Sequence, residues 1–217
     1  LTMLSSFVWA KSIDDADNVV QGSYDSAGAQ DERNLHLERG LSFSNVGRRV
    51  AASVVYALPG GRRLHSAFTN WQLSAVVTLQ DGTPLNAIYY ASDFANSGTL
   101  NRPNVVPGQS ITLPRDQRTA AHFFNTSAFS DPAPYTFGDA GRNIVPGPGN
   151  NIFDLAAQKT IPLGETRRLE FRAEFFNAFN HPNWGIPLTY VDFGPFFGQI
   201  VATGDPRRGQ FALRFEF

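Results

Sequence analysis

The last eight residues, Gln210 to Phe217, alternate without a break: Phe211, Leu213, Phe215 and Phe217 form one set, and Gln210, Ala212, Arg214 and Glu216 form the other. A period of two places the two sets on opposite faces of an extended strand. The pattern recurs upstream, where Leu169, Phe171, Ala173 and Phe175 alternate with Glu170, Arg172 and Glu174. Two amphipathic strands would also suit a soluble sandwich. The Phe-rich apolar face and the terminal aromatic fit better a barrel wall that faces lipid and closes at a membrane rim.

Taken along the chain, the alternation predicts strands over about 1–11, 48–58, 70–80, 151–161, 167–179 and 207–217. Long connections, 12–45, 81–150 and 180–206, are rich in Pro, Gly and polar residues, whereas Pro59-Gly60-Gly61 and Pro162-Leu163-Gly164 begin short turns. The connections therefore run long, short, long, short, long, which puts every short turn at one end of the sheet. Outer-membrane barrels carry this asymmetry, with short periplasmic turns and long outer loops, and sandwiches do not. The expected fold is all-β: an antiparallel meander of about six transmembrane strands forming part of an outer-membrane β-barrel, its C-terminus toward the periplasm. Arg62-Arg63 and Arg167-Arg168 mark the short turns, and Arg48-Arg49 and Arg207-Arg208 the long-loop end, so charge brackets the apolar bands.

Composition narrows the function classes. With 217 residues, 19 Phe and no Cys, the chain has neither a disulfide framework nor a thiolate metal site. A net charge of −1 with scattered Arg gives no basic face for nucleic acid. No apolar run approaches the ~18 residues of a membrane helix, a test that barrel strands escape. The sequence lacks G-x-S-x-G, H-E-x-x-H and Walker patterns, and His36, His65, His122 and His181 are scattered. Asp14, Asp15 and Asp17 lack the spacing of a calcium loop. Glu170 and Glu174, with Arg172 between them, read as a lumenal charge ladder continued by Arg214 and Glu216 rather than as a catalytic carboxylate pair. No enzymatic activity, cofactor or metal is expected.

The sequence resembles the C-terminal barrel of TonB-dependent outer-membrane receptors, in particular the Oar-like group with a carboxypeptidase-regulatory-like domain. The likeness rests on residues 8–15, Arg102-Pro103-Asn104, Phe123-Phe124-Asn125, Phe129, Gly141-Arg142-Asn143, Gly147-Pro148-Gly149 and the run from Phe171 to Asn183. Gln210, Phe215 and Phe217 resemble the C-terminal signal read by the barrel-assembly machinery, with Ala212 where that signal usually has Gly. The chain opens within a strand at Leu1, so a C-terminal piece of a longer protein is expected, the plug and TonB box lying elsewhere.

What the resemblance implies is TonB-energised uptake of an oligosaccharide, peptide or siderophore. Its partners would be the lipid bilayer and lipopolysaccharide, the barrel-assembly machinery, and TonB through the missing N-terminal region. A passive pore or adhesin, and a soluble β-sandwich binding module, are the alternatives. Specificity would reside in the long loops. Within 81–150, Tyr89, Tyr90 and Phe94 are the candidate ligand-binding residues, with Phe123, Phe124 and Phe129 expected to pack inward.

Overall fold

The computed structural model describes residues 1–15, 29–59, 69–99 and 101–217; the Arg62-Arg63 pair and Asp17 lie outside them. Its frame is one antiparallel sheet of six strands in chain order. These are β1 (Thr2–Trp9), β2 (Arg48–Ala57), β3 (Trp71–Gln80), β4 (Asn150–Pro162), β5 (Arg168–Phe176) and β6 (Arg208–Glu216). The sheet is open: β1 pairs only with β2, and β6 only with β5.

Strand β5 stops at Phe176, three residues short of the alternation-based end. Asn177 takes a left-handed φ of 47°, and its backbone N–H donates to Asp154 Oδ1 at 2.9 Å. Asn tolerates this backbone region and can bond the surrounding chain. Here its side-chain amide donates to the carbonyls of His181 and Asp205, drawing both ends of the loop between β5 and β6 together.

The register turns the one-strand pattern into a two-faced wall. Phe215 lies opposite Leu169, Leu213 opposite Phe171, and Phe211 opposite Ala173. The outward row continues through Ala157 and Leu73 to Tyr56, each paired across one strand to the next. On the other face, Glu216 pairs with Arg168, Arg214 with Glu170, and Gln210 with Glu174. Ion pairs Arg168–Glu216, Arg214–Glu216 at 3.1 Å and Arg172–Glu174 at 2.5 Å tie this charged ladder together. Across β1 to β3 the same inward face carries Ala51, Ser53, Ser74 and Thr78, with Arg49 its charged residue at the long-loop end.

The core lies away from the sheet. Ala87, Phe123, Phe124, Ala128, Phe129, Val145, Phe197 and Ile200 make a single buried cluster, every member in a long loop. Within it Phe124 meets Phe197 edge-on at 5.1 Å and Phe129 at 6.2 Å. The wall, by contrast, leaves Phe211 and Leu213 two-thirds exposed. A soluble protein seldom leaves so continuous an apolar face bare, whereas lipid covers it.

Candidate functional site: the loop cap

Residues 81–149 carry structure of their own. Short ladders at 84–85 with 145–146, and 104–105 with 129–130, fold the segment back on itself. A further ladder joins 13–14 to 40–41 in the first long loop. Periodicity could not reveal pairs only two residues long. The neck of the large loop depends on glycine: a Cβ at Gly147 would sit 2.3 Å from the Thr83 carbonyl oxygen, and one at Gly149 would sit 2.4 Å from that of Gln80. Only a residue without a side chain lets the incoming and outgoing backbones approach so closely.

Three loops then lock into one cap. Arg102 and Glu38, both almost fully buried, form a two-pronged pair at 2.5 and 3.0 Å. Gln30 bridges them, its N–H donating to Glu38 Oε1 and its Oε1 accepting from the Arg102 N–H at 2.6 Å. Arg142, fully buried, donates to the Glu38 carbonyl at 2.7 Å and pairs with Asp14. Asn143 adds a bond to the Leu41 carbonyl at 2.8 Å. Guanidinium groups buried in this way require ion-pair partners, because an isolated buried charge is costly, although the buried Arg102 Nε is itself left without a bond among the described residues. The loop between β5 and β6 joins through a bridge between Ile88 and Tyr190 and through Phe123 N–H to Gly198 O at 3.0 Å.

On this cap stands an aromatic patch. Tyr90, 63% exposed, meets Tyr190 at 5.2 Å and Phe193 at 5.8 Å, and those two rings lie 4.8 Å apart. Asp192 fixes the arrangement by accepting the backbone N–H groups of Tyr90, Ala91 and Ser92, the shortest bond being 2.7 Å. Burial raises the Asp192 pKa, but the three N–H donors outweigh it and hold the carboxyl below its ordinary range. Rings presented edge to face with one open flank offer wide, rigid contact area to a sugar ring or a planar chelator.

The structure divides the sequence-derived trio. Tyr90 belongs to the exposed patch. Tyr89 does not reach the outer surface: it is 2% exposed, and its hydroxyl donates to Asp131 Oδ1 at 2.5 Å. The correction rests on burial: of these two neighbours, Tyr89 is enclosed in the cap and Tyr90 is exposed. Burial and the Asp131 carboxylate both push its phenol pKa upward, so it stays a neutral donor. Phe94, half-buried, packs edge-on against Tyr89 at 4.8 Å, while Phe123, Phe124 and Phe129 lie in the cap core. Tyr190 and Phe193 escaped sequence reasoning because they come from a loop about 100 residues downstream of Tyr90. At the chain end, Gln210 bonds Glu174 on the charged face, and Phe215 stacks with Phe217 at 6.0 Å on the apolar one.

An outer membrane beta barrel domain is the family whose model matches residues 1–210. The chain belongs to this outer-membrane β-barrel family. No curated protein and no solved structure matches it. As an outer-membrane β-barrel, the chain resides in the bacterial outer membrane, its Phe-rich face against lipid and its short turns toward the periplasm. That setting explains Lys159, a cation that the register places in the lipid-facing rows. Its ammonium reaches the Thr69 carbonyl at the short-turn rim and lies 5.6 Å from the Trp71 ring centre. A lysine stem laid along apolar surface with its head at an aromatic rim is how a charge is accommodated beside a bilayer.

Proposed function

We propose that this chain supplies the wall and outer loops of a receptor for TonB-energised uptake of an oligosaccharide, peptide or siderophore, acting as a conduit and not as a catalyst. The observation that carries the reading is the cap. The segments on which the receptor resemblance rests are the ones that assemble it: Arg102 and Arg142 in the buried ion pairs, Phe123, Phe124 and Phe129 in the core, Gly147 and Gly149 at the neck, and Asn177 at the loop base. A simple pore needs an open mouth; a loop mass with its own core and an exposed aromatic patch suits capture of a solute before passage. Ligand contact falls to Tyr90 with Tyr190 and Phe193 beside it, and Tyr89 and Phe94 serve to support Tyr90 from below.

The test uses the intact receptor in cells. Tyr90→Ala combined with Phe193→Ala should leave surface abundance unchanged and reduce ligand binding by about tenfold or more, as loss of two contact aromatics does at a recognition surface. Deleting TonB should abolish accumulation while binding persists. Uptake that continues without TonB would assign the chain to a passive pore and overturn the proposal. Unchanged binding by the double variant would remove the patch from recognition.

A further inference from the structure

Six non-glycine residues among the described ones adopt a left-handed φ; five are Asn, and the sixth is Tyr135, at 62°. Asn visits this region because its short side chain bonds locally, whereas a bulky side chain there is strained against the backbone. The turn that holds Tyr135 has the form of type II. Pro134 stands second and Tyr135 third, and the Thr136 N–H closes on the Ala133 carbonyl at 3.1 Å. The third place of such a turn calls for Gly or Asn. Packing does not account for the exception. Tyr135 is 83% exposed, and among the described residues its hydroxyl has no hydrogen bond and its ring meets no other aromatic ring. A solitary exposed aromatic is ordinary; one kept on a strained backbone where Asn would fit is not, and such strain collects at ligand contacts.

Tyr135 and the Tyr90 patch are fixed to one support, the packed pair of Tyr89 and Phe94. The Tyr135 N–H donates to the Phe94 carbonyl at 2.6 Å, and Asp131 in the same loop accepts the Tyr89 hydroxyl. Thr136 Oγ1 adds a bond to the Ala133 carbonyl at 2.6 Å, so the turn is held from both sides. The charge around these rings selects among ligands. Residues 86–99, 131–139 and 185–199, which carry the rings, contain no Lys, Arg or His. An anionic chelator or an acidic peptide finds no counter-charge in them. A cation finds only carboxylates already bonded within the cap: Asp93 to the Ser97 and Gly98 N–H groups, Asp139 to that of Val105, and Asp131 and Asp192 as above. Sugar rings fit this chemistry, since their apolar faces stack on aromatic rings and their hydroxyls can bond to exposed neutral side chains such as those of Asn96 and Ser97.

We propose that Tyr135 is a second stacking platform, and that the solute captured on the cap is a neutral oligosaccharide long enough to touch both Tyr135 and the Tyr90 patch. This rests on the reading of the Tyr90 patch as ligand contact and names the substrate class of that surface. A disaccharide is held by the three-ring patch alone, and a longer chain gains the Tyr135 ring as well. The rigid turn matters to the gain, because a ring already fixed in place loses little freedom when a sugar stacks on it.

The experiment titrates the intact receptor in detergent with neutral hexasaccharides, α- and β-linked glucan, xylan, mannan and galactan, with the matching disaccharides, and with an acidic hexagalacturonate. At least one neutral hexasaccharide should bind, more tightly than its disaccharide and than the acidic chain. Tyr135→Asn, which suits the backbone, should weaken that hexasaccharide roughly tenfold or more, the scale of losing a contact aromatic, and leave the disaccharide unchanged. Its Tm should not fall, because the ring is unpacked and the strain is relieved; Tyr135→Phe should bind like the wild type. Binding of no neutral hexasaccharide, or tighter binding of the acidic one, overturns the substrate class. Unchanged hexasaccharide binding in Tyr135→Asn, or a lowered Tm that marks the ring as part of the cap's packing, overturns the second platform. The patch reading fails separately, by hexasaccharide and disaccharide binding that persists in Tyr90→Ala/Phe193→Ala, and a Tyr135 effect without a patch effect would overturn the two-platform proposal.

Discussion

Leu213 and Ala212 are neighbours in sequence, yet the register sends one to lipid and the other to the charged interior face. Leu213→Arg is therefore expected to cost ~2–4 kcal/mol if it lies near the bilayer midplane and less toward a rim, whereas Ala212→Arg should cost little. Reversible unfolding of both variants in lipid measures the difference, and equal costs would show that the face assignment is wrong. This much was legible in the sequence, because strict alternation leaves no freedom once a strand is granted. Glu38 is the opposite case. It sits in a polar stretch with nothing to mark it, and its importance comes from burial against Arg102 and Gln30. Glu38→Ala should cost about 3–5 kcal/mol of cap stability by leaving Arg102 buried and unpaired. Thermal unfolding followed by near-ultraviolet circular dichroism would register it; a loss no larger than that of an exposed-site variant would remove the pair from the account. Lys159 also defied its position, since a lysine on the lipid face looks like an error until Thr69 and Trp71 are placed beside it. Trp71→Ala should destabilise by about 0.5–2 kcal/mol, and Lys159→Ala should remove most of that difference in a double-mutant cycle.

At the scale of elements, the six strands were foreseen and their ends required structure. The alternation continues through Phe179, but the Asn177 turn ends β5 at Phe176 because side-chain bonds to two loop carbonyls replace the ladder there. The cap was the larger surprise: its pairs are short, its core comes from separate loops, and the contacts between residues near 30, 102 and 142 have no local signature. Its electrostatics give an acid dependence. Asp93, held below the ordinary carboxylate range by the N–H groups of Gly98 and Ser97, behaves like Asp192. A carboxyl with a lowered folded-state pKa contributes stability that is complete above its unfolded value of ~3.9 and is lost as pH falls further. Amide protection at Tyr90, Ala91 and Ser92, corrected for intrinsic exchange, should hold from neutral pH to about 4 and decline below it. Asp192→Asn should lower that protection already at neutral pH. Protection indifferent to both acid and substitution would contradict the capping role.

For the molecule as a whole, two halves with different solvents explain the distribution of side chains. The cap is assembled like a soluble domain, with a Phe core and paired buried charges, while the wall keeps its apolar residues outside and its charges inside. Both edges of the wall are unpaired in this sheet, and an isolated sheet with a bare Phe-rich face should aggregate in water. The central claim is that one face of the wall meets lipid and the other meets water. These 217 residues contain no cysteine, so once any cysteine elsewhere in the intact protein is replaced, each introduced thiol is a unique label. Single cysteines placed in turn from Gln210 to Glu216 in the intact protein, spin-labelled and reconstituted in bilayers, report collision with oxygen dissolved in lipid and with a water-soluble nickel chelate. Labels at 211, 213 and 215 should favour oxygen, and those at 210, 212, 214 and 216 should favour the chelate, in strict alternation. A profile without a two-residue period, or with the chelate reaching 211, 213 and 215, would contradict the account.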